Sequence, residues 1–430
     1  MCNFSDFGVE CQTSILKNKS KIYLLKKIGS PIHIQACIQA GSRYNSISGQ
    51  AHFLEHILVA GTKLYPSKLA LVTSLEKVGG YFEAITDADL IRLTISVPQT
   101  KHIPLAVSIL NEMLTNSLYK EEVFHNEQSV ILREQKDQLR NLSVLLMGTL
   151  MKKVYPDFDL CFNNLGTTKS VMDLQVKDIA DFAKTNITAE RTSYIISGAV
   201  EMQEIESLLS TIELPLGLGN SLPQLQFPIN NSERVAYIKQ EGENSDILVG
   251  FRCDTNTLVD LAGLLLIQQM FTGRGNRLIQ ELRYKQGLVY GGGTPFWDFN
   301  GTSIFGLRTT CATAKLEDIL VITLNILKEI STKGISESEC ENLKVKIDGH
   351  YRFKLQTSKE WLDAEVFALR HNIKNDKNVN ALTILSLIQQ IDANKLTEIF
   401  QKYFDPKNAH CVILGSPLEI VQGRMNGLML

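Results

Sequence analysis

The chain alternates short stretches of β-branched and apolar residues with longer stretches whose apolar residues recur every three or four positions. Strand-like stretches occupy residues 21–29, 32–41, 90–97, 234–242 and 246–253. Helix-like stretches occupy residues 67–78, 101–117, 121–146 and 259–271. A period near two is typical of strands and a period near 3.6 of helices. The pattern predicts an α+β protein in which helices pack on one face of a mostly antiparallel sheet.

The two halves of the chain resemble each other. Residues 182–200 and residues 400–418 both predict a helix end, a short loop and a strand that ends at a glycine, Gly198 or Gly415. Matching segments lie about 213 to 218 residues apart, which is far too long a period for a solenoid. The chain is therefore expected to contain two homologous α/β domains.

Proline and glycine cluster between the halves, where they cannot sustain a helix or a central strand. The cluster comprises Pro215, Gly217, Gly219, Pro223 and Pro228. We therefore predict an N-terminal domain over residues 1–212, a linker over 213–231 and a C-terminal domain over 232–430.

Composition excludes several classes of protein. The 430 residues carry 44 Lys+Arg against 46 Asp+Glu, a net charge of −2, which argues against a nucleic-acid or anionic-membrane partner. No run of about 18 apolar residues predicts a membrane span, and the first residues do not resemble a secretory signal. The eight cysteines form no C-x-x-C pair, which favours free and mostly buried thiols. These features predict a cytoplasmic protein.

The sharpest local motif is H-x-x-E-H, formed by His52, Glu55 and His56. Residues four apart lie one above the other on a helix, so both imidazoles can reach one cation. Glu55 shares that face and can address a water. The order is that of the inverted zincins, and the donors suit Zn²⁺ with an open position. The alternative is a helix with two surface histidines and an incidental glutamate, but the apolar flanks argue against it.

A third ligand is expected on a helix that faces this one. In the predicted helix 121–146, Glu127 and Glu134 fall on one otherwise apolar stripe. We predict Glu134 as the third ligand and Glu127 as the carboxylate that orients a ligand imidazole. The alternative is an acidic pair on a solvated helix face. His125 projects to another face and is not expected to be a ligand.

With these residues in place, the sequence resembles the pitrilysin/insulinase family of zinc peptidases, in its small, bacterial, processing-peptidase-like branch. The glutamate lies 78 residues beyond His56, a second glutamate lies seven residues earlier, and Gly61 and Thr62 match the family's turn after the motif. The resemblance implies a pair of related α/β domains and a peptide substrate. It also implies a homodimer, or a heterodimer with a related subunit.

The second half carries a further match to the family. Residues 273–293 contain Arg283 and Tyr290, seven residues apart, which the resemblance implies as catalytic groups that hold substrate carbonyls. Residues 259–271 contain no counterpart of the H-x-x-E-H motif, so one Zn²⁺ per chain is expected. There is one departure: Glu83 stands where the family usually has asparagine, which leaves the role of that position open.

The resulting hypothesis is a zinc metalloendopeptidase acting on short, extended peptides. His52, His56 and Glu134 would bind the metal, Glu55 would act as general base, and the peptide would lie along a strand near residues 84–89. The alternative is a non-catalytic or partner-dependent subunit of a heterodimeric processing peptidase. A peptide-binding module with a structural zinc would need a fourth protein ligand, and the sequence offers no obvious one.

Overall fold

The structure is a computed structural model that describes residues 4–217, 234–255, 257–372 and 379–415. Most of the predicted linker, residues 218–231, lies outside the described residues, as does Cys2. The seven described cysteines are all free and five are buried, as the sequence predicts.

The described strands form two six-stranded sheets. The first contains β1 (Glu10–Ile15), β2 (Lys21–Lys26), β3 (Ile32–Ile38), β4 (Tyr81–Thr86), β5 (Ile91–Val97) and β6 (Thr192–Gly198). The second contains β7 (Val235–Lys239), β8 (Asn244–Cys253), β9 (Val289–Gly293), β10 (Phe296–Phe299), β11 (Thr302–Ala312) and β12 (Ala409–Gly415).

Each sheet is antiparallel except for one pair. The first sheet has the order β1-β2-β6-β3-β5-β4, and β2 and β6 are parallel. The second has the order β10-β11-β8-β12-β7, with β9 also paired to β11, and β12 and β7 are parallel. The mostly antiparallel, duplicated α+β architecture predicted from the sequence is confirmed.

Helices precede and follow the strands in each half. The first half contains α1 (Gln50–Ala60), α2 (Lys68–Glu76), α3 (Ile103–Thr115), α4 (Glu121–Gln138), α5 (Leu142–Val154), α6 (Phe158–Cys161), α7 (Thr168–Asp173), α8 (Val176–Asn186) and α9 (Met202–Leu209). The second contains α10 (Leu258–Phe271), α11 (Arg277–Ile279), α12 (Leu316–Lys333), α13 (Glu337–Lys354), α14 (Ser358–Asn372), α15 (Ala381–Gln390) and α16 (Ala393–Tyr403). A π-helical turn, Gln280–Lys285, continues α11. None of these described helices has the length and apolarity that crossing a membrane requires.

One helix predicted from the sequence is wrong in extent. Residues 121–146 are not continuous, because α4 ends at Gln138 and α5 begins at Leu142. The side chain of Asn141 accepts hydrogen bonds from the backbone N–H groups of Ser143 and Val144, which caps the new helix. The apolar period continues across the break, so periodicity alone does not reveal it.

Each half contributes one helix that packs on the sheet of the other half. Helices of the first half cover one face of the first sheet, while α14 of the second half packs on its other face, against β6, β3 and β2. Conversely, α5 of the first half packs on β12, β7 and β8 of the second sheet. Each sheet is thus covered on both faces, and strand β3 is buried along its whole length. The predicted helices on one face are present; the cover of the second face by a helix of the other half was not predicted, because no local pattern encodes it.

Candidate metal centre

Helix α1 carries the H-x-x-E-H motif inside the first domain. It begins after Gly49, whose φ of 94° is a left-handed conformation that favours glycine. Ten of its eleven residues are buried, because α1 packs against α8, α4 and β4. His52, Glu55 and His56 share the face that looks toward α4 and β4, so burial fixes where their side chains can point.

Three candidate ligands converge between α1 and α4. The Nε2 atoms of His52 and His56 lie 3.7 and 3.6 Å from Oε2 of Glu134. One potential ligand atom from each residue lies within 4.8 Å of the others. Two imidazole nitrogens and a carboxylate oxygen are a donor set that Zn²⁺ takes at catalytic sites.

Glu127 supports this cluster from two turns further back along α4. Its Oε2 atom lies 2.8 Å from Nδ1 of His56, which leaves Nε2 of that imidazole directed toward Glu134. A carboxylate on the far nitrogen of a metal-binding histidine is a common arrangement, because it fixes the tautomer and makes the ligand nitrogen more basic.

The electrostatics of the cluster suit a cation. Burial lowers the pKa of His56, but its hydrogen bond to Glu127 and the nearby Glu134 outweigh burial and raise that pKa to about 9. Contact with His56 in turn lowers the pKa of Glu134. Burial, together with the charge on His56, lowers the pKa of His52 to about 4. The carboxylates thus favour a positive charge here, and the residues fit Zn²⁺.

Glu55 lies beside the three candidate ligands rather than among them. It is buried, and its Oε2 atom accepts a hydrogen bond of 2.6 Å from the hydroxyl of Thr86. Burial is the main cause that raises the pKa of Glu55, and the bond from Thr86 opposes it. A carboxylate with a raised pKa that faces an open cleft is suited to exchanging protons.

A cleft of about 400 Å³ opens onto these side chains. Its wall opposite α1 is formed by strand β4, whose residues Phe82, Ala84 and Thr86 line it. Within the described residues β4 pairs only with β5, so its other edge offers unpaired backbone groups to the cleft. Asn164 closes one end, where its side chain donates to the carbonyl of Thr86.

The edge strand is shorter than the sequence predicts. Residues 84–89 were expected to be extended, but β4 ends at Thr86 and the next three residues form a turn. Asp87 contacts Arg370 and Arg92, and the buried Asp89 pairs with Arg43. These carboxylates face inward to arginines, so this part of the segment is not available as a strand edge.

Arg283 and Tyr290 lie elsewhere. Arg283 is in the π-helical turn, Tyr290 is in β9, and the guanidinium carbon lies 5.0 Å from the centre of the tyrosine ring. The Tyr290 side chain is 87 % exposed. The cleft of about 400 Å³ beside the candidate ligands is called the metal cleft, and every described residue that lines it falls between positions 52 and 165. The structure therefore assembles His52, Glu55, His56, Glu127 and Glu134 and leaves the Arg283–Tyr290 pair outside; the role of that pair stays a prediction.

Sequence reasoning missed the polar residues that hold this site together. Thr86 binds the Glu55 carboxylate, and Asn164 binds the backbone of Thr86. Both are isolated polar residues with no recognisable spacing from the motif. Only the sheet register and the loop after α6 bring them close to it.

The fold and the site define a class of proteins with two homologous α+β domains and a single inverted zincin helix in the first. The sequence profile described as insulinase (peptidase family M16) matches residues 29–166, and the one described as peptidase M16 inactive domain matches residues 173–346. Together they span more than half of the chain, which belongs to the M16, or insulinase, family of peptidases.

Relatives and solved structures agree with this assignment. An uncharacterised zinc protease of Rickettsia bellii is 25 % identical over 396 residues, 89 % of this chain and 92 % of that protein. The β subunit of the mouse mitochondrial-processing peptidase is 25 % identical over 424 residues, 95 % of this chain and 85 % of that one. A Helicobacter pylori protease structure shares the fold, with a TM-score of 0.82 at 18 % identity, and covers 95 % of this chain and 100 % of its own.

Proposed function

We propose that this protein is a zinc-dependent endopeptidase that hydrolyses short, extended peptides. The observation that carries the proposal is the convergence of His52, His56 and Glu134 beside the buried carboxylate of Glu55, in a cleft bordered by an unpaired strand edge. The names of the relatives support a zinc-dependent protease.

His52, His56 and Glu134 would hold the metal, with Glu127 orienting His56. A bound Zn²⁺ supplies Lewis acidity, which polarises a peptide carbonyl and lowers the pKa of water. Within the described residues, the candidate ligand group contains these three protein donors and no fourth. Three protein ligands are the number found at catalytic sites, whereas structural zinc sites are closed by four.

Glu55 would move the proton. Its hydrogen bond with Thr86 engages one carboxylate oxygen, Oε2, and fixes the plane of the group. Burial raises its pKa, which makes the carboxylate a better base for a water proton than an exposed glutamate would be. The same group would then deliver that proton to the leaving amine.

The substrate would bind as an additional strand along β4. Peptides of many sequences can bind to a sheet edge in this way, because the main-chain hydrogen bonds do not depend on side chains. The edge lies directly across the cleft from the candidate ligands, so a bound strand would pass over Glu55. This placement explains why extended rather than helical peptides are the expected substrates.

Arg283 and Tyr290 keep their proposed role as donors to substrate carbonyls. A guanidinium and a phenol are suitable donors for an oxyanion. Since neither lines the cleft in this conformation, the proposal requires the β9 region to approach the first domain when peptide is bound.

The test is cleavage of a mixed library of unstructured peptides, with zinc content measured on the same samples. Wild type should bind about one zinc per chain and cleave, while Glu55→Gln should keep the zinc and lose at least about 1000-fold in kcat. Glu122→Gln, an exposed glutamate on α4, is the matched control and should behave as wild type. Full activity in Glu55→Gln would refute the assignment.

A partner-dependent subunit is the alternative function. It is favoured by the position of Arg283 and Tyr290 outside the cleft and by the mouse relative, which is named as a subunit. A homodimer, or a heterodimer with a related chain, is the proposed assembly. Zinc binding without cleavage by the purified chain, followed by cleavage after addition of a related chain, would establish this alternative.

The free thiols of the described cysteines support a cytoplasmic location.

A further inference from the structure

A second cleft, of about 580 Å³, lies on the other side of strand β4 from the metal centre. Side chains alternate along a strand. Phe82 and Ala84 accordingly line the metal cleft, whereas Glu83 lines the second one, and Ile85 borders both. Helices α10, α13, α14 and α15 of the second half form the remaining walls. We call this space the interdomain cleft.

The interdomain cleft lies where alternate side chains of a bound peptide would point. A peptide added to the edge of β4 continues the pleat of the sheet, so every second side chain faces the metal side and the others face away from it. This step rests on the proposed binding of substrate along β4. The chemistry of the interdomain cleft would therefore contribute to peptide selection.

Positive charge exceeds negative charge on the walls of the interdomain cleft. The basic side chains that line it are Arg92, Lys354, Lys359 and Arg370, and the acidic ones are Glu83 and Asp363. Asp87, just outside the lining, contacts both arginines. Even with Asp87 included, the cationic groups outnumber the carboxylates.

Both acids of the lining already have a cationic partner. Nζ of Lys359 lies 3.0 Å from a carboxylate oxygen of Glu83 and 3.4 Å from one of Asp363. A basic side chain entering the cleft would have to compete with Lys359 for either acid. An unpaired acid at this position would favour basic peptides, but Glu83 is neutralised by a residue of the other half.

Lys354 differs from the other basic residues of the interdomain cleft. It is the last residue of α13, it is exposed, and it has no ion-pair partner among the described residues. An incoming carboxylate would therefore find an available ammonium group at Lys354, without having to displace an existing ion pair.

We propose that the interdomain cleft binds a carboxylate of the substrate peptide through Lys354 and disfavours basic side chains. The substrate class is then extended peptides with an aspartate or glutamate at a position that faces away from the metal. An exposed ion pair contributes modestly, and like charges on an exposed surface oppose each other by a similar amount. The expected discrimination between acidic and basic residues is about fivefold to tenfold at low ionic strength.

Binding tests the proposal independently of cleavage. Zinc-loaded Glu55→Gln protein is titrated with fluorescent peptides in which each position of a neutral parent is replaced in turn by Asp or Lys. At alternate positions, the peptide with Asp should bind about fivefold to tenfold more tightly than the peptide with Lys. In 0.5 M NaCl this difference in affinity should shrink, because the Debye length falls to about 4 Å. All peptides are made with free and with amidated C termini, because a terminal carboxylate offers the same chemistry.

Charge variants identify the group responsible. Adding Lys354→Glu should reverse the preference, whereas Lys328→Glu, the same change at an exposed α12 residue that lines neither cleft, should leave it unchanged. Adding Glu83→Gln should strengthen the preference for Asp, because Lys359 then loses one of its acidic partners. Equal binding of the Asp and Lys peptides, or an unchanged preference in the Lys354→Glu protein, would overturn the proposal.

The two C-terminal forms separate the sources of the carboxylate. Discrimination that persists in amidated peptides assigns the cleft to acidic side chains, and discrimination seen only with free C termini overturns that assignment. Cleavage of the neutral parent by wild type is measured in parallel. Its absence would count against the peptidase, while the binding comparison would still decide the charge preference.

Discussion

The two halves of the chain share one scaffold and differ in chemistry. The strand order β2-β6-β3-β5-β4 of the first half recurs as β7-β12-β8-β11-β10 in the second, including the single parallel pair. Helices α4 and α13 have 18 residues each and begin 216 residues apart. At that spacing His350 corresponds to Glu134, and Leu343 corresponds to Glu127. The scaffold therefore does not require the candidate metal ligands, which only the first copy carries among the described residues.

The clefts beyond the two edge strands differ in the same way. The interdomain cleft beside β4 is lined by several charged side chains. Its counterpart beside β10, with a volume of about 550 Å³, is lined largely by apolar groups such as Met147, Phe162 and Trp297. The two spaces have similar volumes but different linings. Of these two spaces, the one with more charged side chains lies beside β4, the edge strand that borders the candidate metal centre.

The largest effect is expected on zinc affinity, and only substitutions in the first half should cause it. His56→Ala removes a ligand imidazole and leaves Glu127 and Glu134 without their shared partner, so zinc affinity should fall more than about 1000-fold, or about 4 kcal/mol. His350→Ala, at the equivalent of Glu134, should keep one zinc per chain. The measurement is zinc content after dialysis against a chelator of graded strength. Comparable loss in both variants would contradict a single-site protein.

The exchanged helices predict the next largest effect, on folding. Leu150 of α5 is fully buried and lies against Gly250 of the second sheet. The contact is so close that a Cβ atom added to Gly250 would lie 2.4 Å from Cδ2 of Leu150. Leu150→Ala should lower the free energy of unfolding by about 3 kcal/mol. The control, Leu139→Ala at a side chain that is 68 % exposed, should change it by less than about 0.5 kcal/mol. Denaturant unfolding measures both, and equal values would show that α5 does not stabilise the second sheet.

Glu127 gives a smaller effect, because it acts through His56. Glu127→Gln replaces the carboxylate at 2.8 Å from Nδ1 by an amide, which should weaken zinc binding about 10- to 100-fold without abolishing it. Competition with a fluorescent chelator measures the affinity. Glu121→Gln on the exposed start of α4 is the matched control. Wild-type affinity in the Glu127→Gln protein would remove this residue from the site.

The sequence predicted those features that follow from periodic patterns. Helix α1 and its motif, the stripe on α4 and the duplicated sheets all depend on spacing along one element. Features that depend on contacts between distant elements were missed, such as the pairing of Glu83 with Lys359, 276 residues later. The break before Asn141 was missed because a capping residue interrupts a helix without interrupting its apolar period. The position of Arg283 and Tyr290 likewise depends on how the halves pack, which no local pattern encodes.

Thr86 is such a missed contact, and it carries the smallest predicted effect. Thr86→Val keeps the shape of the buried side chain but removes the hydroxyl that donates to Glu55. Loss of one hydrogen bond to a carboxylate costs about 1 to 2 kcal/mol, so kcat should fall about tenfold while zinc content stays at one per chain. Thr86→Ser restores the hydroxyl and should recover most of the rate. A Thr86→Ser protein as slow as Thr86→Val would show that packing, rather than the hydrogen bond, is what positions Glu55 beside the candidate metal ligands.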